Sequence, residues 1–194
     1  MKEELLEPFL RRLRIRRVLP IIRRFSGCRV LDIGCGWNAD LLRSVEPYVA
    51  SGTGIDFKAP DFNTDKIKTI KAHIEDTLPF KDGEFDVVTM LAVLEHIAQV
   101  DKVVSESYRV LRPGGILCGT VPSKIARPVL EILSFKLHIV NPKEIADHKT
   151  YFDRQSLREL FTKFGFKVLI HKYFQFGMNN FFVAQKAEAY DSVK

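Results

Sequence analysis

The sequence predicts a doubly wound α/β fold, with a mostly parallel sheet and helices on both faces. Three observations carry that expectation. Apolar, β-rich runs alternate with stretches of helical periodicity. The first such run, Val30-Leu31-Asp32-Ile33, stops at a glycine turn, Gly34-Cys35-Gly36, that opens at once into a helix. An acid, Asp56, follows the second run twenty positions after Gly36, a spacing that suits a carboxylate taking the two hydroxyls of a ribose. The chain therefore reads as a binder of an adenosine-containing cofactor.

The elements follow in order. The amino-terminal segment before Pro20 reads as an amphipathic helix, with Leu6, Leu10, Leu13 and Arg17 at roughly helical intervals. Val30–Ile33 is the first strand and Asn38–Val45 the first helix after it, with Leu41, Leu42 and Val45 on its apolar face. Ala50–Ile55 is the second strand. Pro60, Asp61 and Asn63 leave little room for a helix between residues 57 and 66. Ile67–Ile74 reads as the third strand and Phe85–Leu91 as the fourth. A helix over Asp101–Leu111 stops at Arg112-Pro113-Gly114-Gly115, and Ile116–Val121 is the fifth strand. Asp153 is placed to cap a last helix that ends at Gly165. Two closing strands, about 167–173 and 180–185, are joined through Gly177-Met178-Asn179, which makes the last one antiparallel.

Length and composition bound the rest. The 194 residues suit one domain spanning 1–194, with a basic helix over 1–25 and a lid-like insertion over 123–150. No apolar run reaches the ~18 residues of a membrane span. The amino terminus lacks the pattern of a secretory signal. Cys28, Cys35 and Cys118 stand apart, so neither a disulfide framework nor a metal site is expected, and a reducing, cytoplasmic setting fits. Much of the net charge of +6 sits in seven arginines between positions 11 and 24. They are read either as a solvated helix face or as a contact to nucleic acid or to an anionic membrane surface.

The glycine turn alone does not choose the cofactor, because Gly34-x-Gly36-x-x-Ala39 also satisfies the dinucleotide fingerprint of an oxidoreductase. Three further features do. Asp32 precedes the turn inside its strand. Leu78-Pro79-Phe80 is followed by Gly83-x-Phe85-Asp86 at the start of strand four. Tyr108-Arg109-Val110-Leu111-Arg112-Pro113-Gly114-Gly115 leads into strand five. In this order, over about residues 28–121, they resemble the class I S-adenosylmethionine-dependent methyltransferases, in the small-molecule branch called type 11.

That resemblance implies a Rossmann-like, seven-stranded sheet and S-adenosyl-L-methionine as cofactor. It implies that Asp32, Gly34, Cys35 and Gly36 form the loop under the methionine part. Asp56 then takes the ribose hydroxyls, Phe57 lies beside the adenine, and His73 and Ile74 meet its edge. Met90, Leu91 and Ala92 close the strand-four side. The family often has an aspartate where this chain has His73. A neutral imidazole nitrogen accepts from the adenine amino group only in one tautomer.

Methyl transfer is an in-line displacement, and a base is required only where the acceptor must lose a proton. His96, just past strand four, and His148, before the last helix, are the candidates, with Tyr151 as a further contact; each also has a purely structural reading. The stretch from 123 to 149 carries Ile125, Val129, Leu130, Ile132, Leu133, Phe135, Leu137, Ile139 and Val140. Read as a lid containing a helix, it favours a small, apolar or amphiphilic acceptor; the alternative is a helix that packs on the domain or makes a dimer contact. RNA as the acceptor, read by the arginine-rich helix, and a binding protein without turnover are the alternatives. The chain lacks the Pro-Cys pair of pyrimidine-directed enzymes after strand four, and the Asp/Asn-Pro-Pro-Tyr/Phe motif of amino-directed ones.

Overall fold

A computed structural model describes residues 7–25, 27–74, 77–131 and 149–188. Seven strands form one sheet: β1 Cys28–Ile33, β2 Val49–Asp56, β3 Ile67–Lys71, β4 Phe85–Leu91, β5 Leu111–Pro122, β6 Phe166–Phe174 and β7 Asn179–Lys186. Their order is β3-β2-β1-β4-β5-β7-β6. The first five run parallel, and β7 runs antiparallel to both β5 and β6. The order reverses between β1 and β4, which opens a crevice at their carboxyl ends.

Helices α1 Glu7–Arg24, α2 Asp40–Val45, α3 Val100–Val110, α4 Ala126–Glu131 and α5 Arg154–Lys163 complete the described elements. Successive strand residues point to opposite faces, so the sheet builds two cores. Leu31, Ile33, Val88 and Met90 pack with Val103 and Val104 of α3 and with Leu157 and Phe161 of α5. Val30, Val87, Ile116 and Cys118 pack with Ile15, Val18 and Ile22 of α1 and with Leu41 and Leu42 of α2. Asp153 caps α5 as expected. It accepts the Ser156 N–H at 2.8 Å, while Ser156 Oγ accepts the Asp153 N–H at 2.9 Å. The Lys124 ammonium at 2.5 Å, followed by Ser156, holds the Asp153 carboxyl well below the usual carboxylate range.

The boundaries depart from the sequence expectation in three places. Helix α1 does not stop at Pro20 but runs to Arg24. Pro20 is exposed, while Val18 and Ile22 on the opposite side are fully buried, and their burial outweighs the lost hydrogen bond. Strand β3 ends at Lys71, so His73 and Ile74 lie beyond it. Strand β5 begins at Leu111 and carries Arg112-Pro113-Gly114-Gly115 within it. Asp86 accounts for this: it accepts from Arg112 Nε at 2.5 Å and from Arg29 N and Nε at 2.7 and 3.1 Å. The start of β5 is thereby held beside β4 and β1. A parallel role falls to Arg109, which bonds the Leu78 and Phe80 carbonyls and the carboxylates of Asp82 and Glu106. These two motif regions thus rivet the sheet rather than line the crevice. Of the lid-like insertion, residues 132–148 lie outside the described residues, and α4 belongs to its first part.

Candidate functional site

The glycine turn crosses the sheet's crevice. The Gly34 and Cys35 N–H groups both donate to the Ile55 carbonyl, at 2.8 and 3.3 Å, and bind the turn to β2. Gly34 has a φ of +75°, and a Cβ there would stand 2.4 Å from Val93 Cγ2. Gly36 has a φ of +66°, but a Cβ there would meet nothing within 4 Å. The first glycine is needed for packing and backbone shape. The second faces open space, where a ligand gains close approach to bare backbone.

Below the turn, Asp32 is only 3% exposed. Thr89 Oγ1 donates to its Oδ1 at 2.6 Å. Burial pushes the Asp32 carboxyl up to about 7, with Thr89 opposing and the Asp56 charge adding. Such a group is neutral or charged according to its neighbours, and a cation in the crevice favours the charged form.

Asp56 ends β2. Its Oδ2 accepts the Gly36 N–H at 3.0 Å and its Oδ1 the Lys58 N–H at 2.7 Å. Carboxylate oxygens carry about four lone-pair sites, so capacity remains for hydroxyls. Phe57, 53% exposed, lies parallel to His73, with ring centroids 6.2 Å apart and planes 4° apart. The Ala72 N–H donates to the Asp56 carbonyl at 3.2 Å and brings the end of β3 to this point. Asp56, Phe57 and His73 therefore assemble beside the glycine turn, while Ile74 packs against the core on the α3 and α5 side.

The strand-four residues divide. Leu91 lines the cleft, and Ala92 takes a φ of +56° at the end of the strand. Met90 does not reach the cleft: it is fully buried in the core on the α3 and α5 side. Strand alternation is the reason, since Thr89, one residue earlier, is the one that faces Asp32. His96 ends a short 3₁₀ turn, Leu94–His96, and is half-buried outside the residues lining the cleft. His148 lies outside the described residues, and Tyr151 is half-buried.

The sequence reading expected a basic amino-terminal helix but did not place it at the cleft. A cleft of about 100 Å³ is lined by Asp32, Gly34, Cys35, Gly36 and Leu91, and also by Arg11 and Arg14. Arg11 Nη1 lies 2.6 Å from Asp40 Oδ2, at the start of the helix that follows the glycine turn. Arg14 Nη1 lies 3.5 Å from Glu7 Oε1, and its buried Nε has no partner among the described residues. Glu95, 1% exposed, also keeps Oε2 without a partner among the described residues. Burial pushes its carboxyl up to about 7, its own backbone N–H and the Arg14 charge oppose this, and Glu7 adds to it. Nothing within residues 11–24 sets Arg11 and Arg14 apart from the other arginines, and Arg14 and Arg17 share their spacing of three. The three cysteines are free and buried, and burial raises each thiol above its ordinary range. Among the described residues no group of three His, Cys, Asp or Glu is arranged to hold a metal. No helix among them is long and apolar enough to cross a membrane.

These features sit in a known context. Residues 4–171 match the family described as a methyltransferase domain. Demethylmenaquinone methyltransferase of Staphylococcus saprophyticus is 29% identical over 177 residues, covering 78% of this chain and 75% of that protein. Ubiquinone biosynthesis O-methyltransferase of Psychrobacter cryohalolentis is 30% identical over 102 residues, covering 47% of this chain and 39% of that protein. The chain thus spans about two fifths of that relative's length. In structure, a methyltransferase from Bacillus halodurans superposes with a TM-score of 0.69 at 16% identity, covering 89% of this chain and 98% of that one. A Haloferax volcanii complex of a methyltransferase with its Trm112 activator gives 0.71 at 16% identity, covering 97% of this chain and 100% of that one. The [4+2]-cyclase SpnF gives 0.68 at 16% identity, covering 89% of this chain and 80% of that one, so the fold alone does not fix the reaction. The matched profile spans most of the chain and includes the glycine turn, Asp56 and the rivets at Asp86 and Arg109, and by it the chain belongs to the class I S-adenosylmethionine-dependent methyltransferases.

Proposed function

We propose that this chain transfers the methyl group of S-adenosylmethionine to a small, apolar or amphiphilic acceptor. The observation that carries the reading is a cleft lined by Gly36, Asp32 and Arg14, with Asp56 hydrogen-bonded to the Gly36 N–H beside it. The residues suit the cofactor's parts in turn. Asp56 accepts from the two ribose hydroxyls. Phe57 and His73 present parallel rings to the flat base. The open side of Gly36 admits the chain of the ligand, Asp32 faces its cationic portion, and Arg14 takes its carboxylate.

When bound, the cofactor supplies a methyl already activated on a sulfonium. The protein's own work is then alignment, exclusion of water and, where the acceptor carries a proton, its removal. Holding two partners in line is worth up to ~7–11 kcal/mol. For a hydroxyl acceptor we assign proton removal to His96, in the turn after β4, or to His148, which precedes α5 in the sequence. An apolar acceptor is supported by the many aliphatic and aromatic residues between 123 and 149. It is also supported by the relatives, one named for ubiquinone biosynthesis and one for demethylmenaquinone.

The test is transfer of a labelled methyl group to a panel of isoprenoid quinols, phenols and RNA. Label in a quinol or phenol supports the proposal. S-adenosylhomocysteine binding with no transfer to any acceptor would replace it with a binding protein, and label in RNA alone would replace the acceptor class.

A further inference from the structure

Five arginines of α1 take no part in the cleft. Arg12, Arg16, Arg17, Arg23 and Arg24 are exposed, on the side of the helix opposite the buried Ile15, Val18 and Ile22. They form one cationic flank on a chain whose net charge is +6. The flank continues onto the β6–β7 turn, because the Arg17 guanidinium lies 5.2 Å over the Phe174 ring.

Two residues further, Phe176 is fully exposed. Its turn is held, not loose. Gln175, Phe176 and Gly177 have φ values of +51°, +56° and +86°. The Gly177 and Met178 N–H groups close onto the Phe174 and Gln175 carbonyls at 3.2 and 3.1 Å. Ser123 Oγ donates to the Gly177 carbonyl at 2.6 Å, and the Ser123 N–H to the Met178 carbonyl at 2.9 Å. Left-handed backbone at non-glycine residues persists only where its surroundings hold it. Here it fixes an aromatic ring in solvent. Ile125, 64% exposed, stands two residues beyond Ser123.

We infer that this flank docks on an anionic lipid bilayer, with the arginines over the headgroups and Phe176 and Ile125 as an apolar wedge at their edge. Charge complementarity selects an anionic partner. The pairing of an aliphatic with an aromatic side chain selects lipid over nucleic acid, since Ile125 offers nothing to a base. Position supports the same choice. Pro122 of β5 pairs with Asn179 of β7, so the turn lies at the carboxyl ends of the parallel strands, where the cleft opens. An acceptor dissolved in the leaflet then reaches the site without crossing water. This last point rests on the apolar acceptor proposed above, whereas the docking itself does not.

The experiment is sedimentation of the full chain with vesicles of phosphatidylcholine alone, or with about 30% phosphatidylserine. The chain should partition to the anionic vesicles only, and should be released at about 1 M salt, where the screening length falls to ~3 Å. Each arginine near the surface contributes about fivefold, so Arg12→Glu with Arg16→Glu should weaken partitioning by at least about tenfold. Phe176→Ser should weaken it several-fold. Both variants should keep the wild-type melting temperature and S-adenosylhomocysteine affinity, which separates docking from the cofactor site. Equal partitioning of the double-arginine variant, indifference to phosphatidylserine, or displacement from vesicles by single-stranded RNA would each overturn the inference.

Discussion

The Gly36 N–H donates to Asp56 Oδ2 across 3.0 Å. One hydrogen bond thus joins the turn after β1 to the acid at the end of β2, and it sets the distance between two parts of a nucleoside site. Asp56→Ala removes this tie together with the acceptors for the ribose. Loss of hydrogen bonds to a charged group is worth ~1.5–3 kcal/mol. The affinity for S-adenosylhomocysteine, measured by calorimetry, should therefore fall about 10- to 100-fold.

Asp32 gives a pH signature with two opposite signs. Its carboxyl is held up at about 7, above the ordinary ~4, by burial, against the Thr89 hydroxyl and with the Asp56 charge. The fold therefore favours the neutral acid: that contribution is complete below about pH 4 and is lost as the pH rises through about 7. A cationic ligand favours the carboxylate, so S-adenosylmethionine binding should weaken from pH 8 to pH 6. Asp32→Asn should raise the melting temperature at pH 8, by about 2–4 °C per kcal/mol relieved. It should also lower the cofactor affinity and flatten its pH dependence. An unchanged pH profile in Asp32→Asn would assign the dependence to another group.

Gly34→Ala tests the turn itself. Positive φ and a Cβ placed 2.4 Å from Val93 Cγ2 act together. Strain and overpacking should cost ~2–4 kcal/mol and lower the melting temperature by about 5–15 °C. Thermal unfolding followed by circular dichroism reads this directly.

Arg14→Met should leave the fold intact and weaken S-adenosylhomocysteine at least about tenfold, as expected for the loss of one charge-assisted hydrogen bond. Adenosine, which has no carboxylate, should bind the variant and the wild type alike. An equal loss for both ligands would place Arg14 in the architecture of the cleft instead.

Asp86→Ala separates the rivet from the site. Burial alone would raise its carboxyl, but hydrogen bonds from Arg29 and Arg112 outweigh it and hold the group below the usual range. The folded state therefore gains from the charged form above the ordinary carboxylate range, and loses that gain as the pH falls through it. Arg29 and Arg112 are nearly half exposed, at 44% and 42%, so screening limits the cost to about 1–2 kcal/mol. Urea unfolding should show this cost at pH 7 and a smaller one at pH 3, with cofactor affinity unchanged at pH 7.

The glycine turn and the parallel strands were legible because they are local. Val30-Leu31-Asp32-Ile33 is apolar on both faces, and Gly34 and Gly36 stand where the chain must bend. What escaped was set at a distance. Arg112-Pro113-Gly114-Gly115 stops the helix as read, at Val110, but the tie to Asp86, 26 residues earlier, that holds this segment at the start of β5 is not local. Pro20 reads as a terminus, yet the burial of Val18 and Ile22 carries the helix through it. Arg11 and Arg14 look like the arginines around them until Asp40, 29 residues on from Arg11, and Glu7 and Glu95 show which way they turn. Met90 and Thr89 exchange roles because strand parity decides the face, and only the packed sheet shows which face holds the cleft.

The central claim is that the cleft at the Gly34–Gly36 turn, with Asp56 hydrogen-bonded to the turn beside it, holds S-adenosylmethionine. Its most direct measurement is calorimetry of the full chain with S-adenosylhomocysteine and with NAD, repeated on Asp56→Ala. The account predicts one molecule of S-adenosylhomocysteine bound per chain, binding sharply reduced in the variant, and no heat with NAD. Tight NAD binding with none of S-adenosylhomocysteine, or equal affinity in Asp56→Ala, would contradict it.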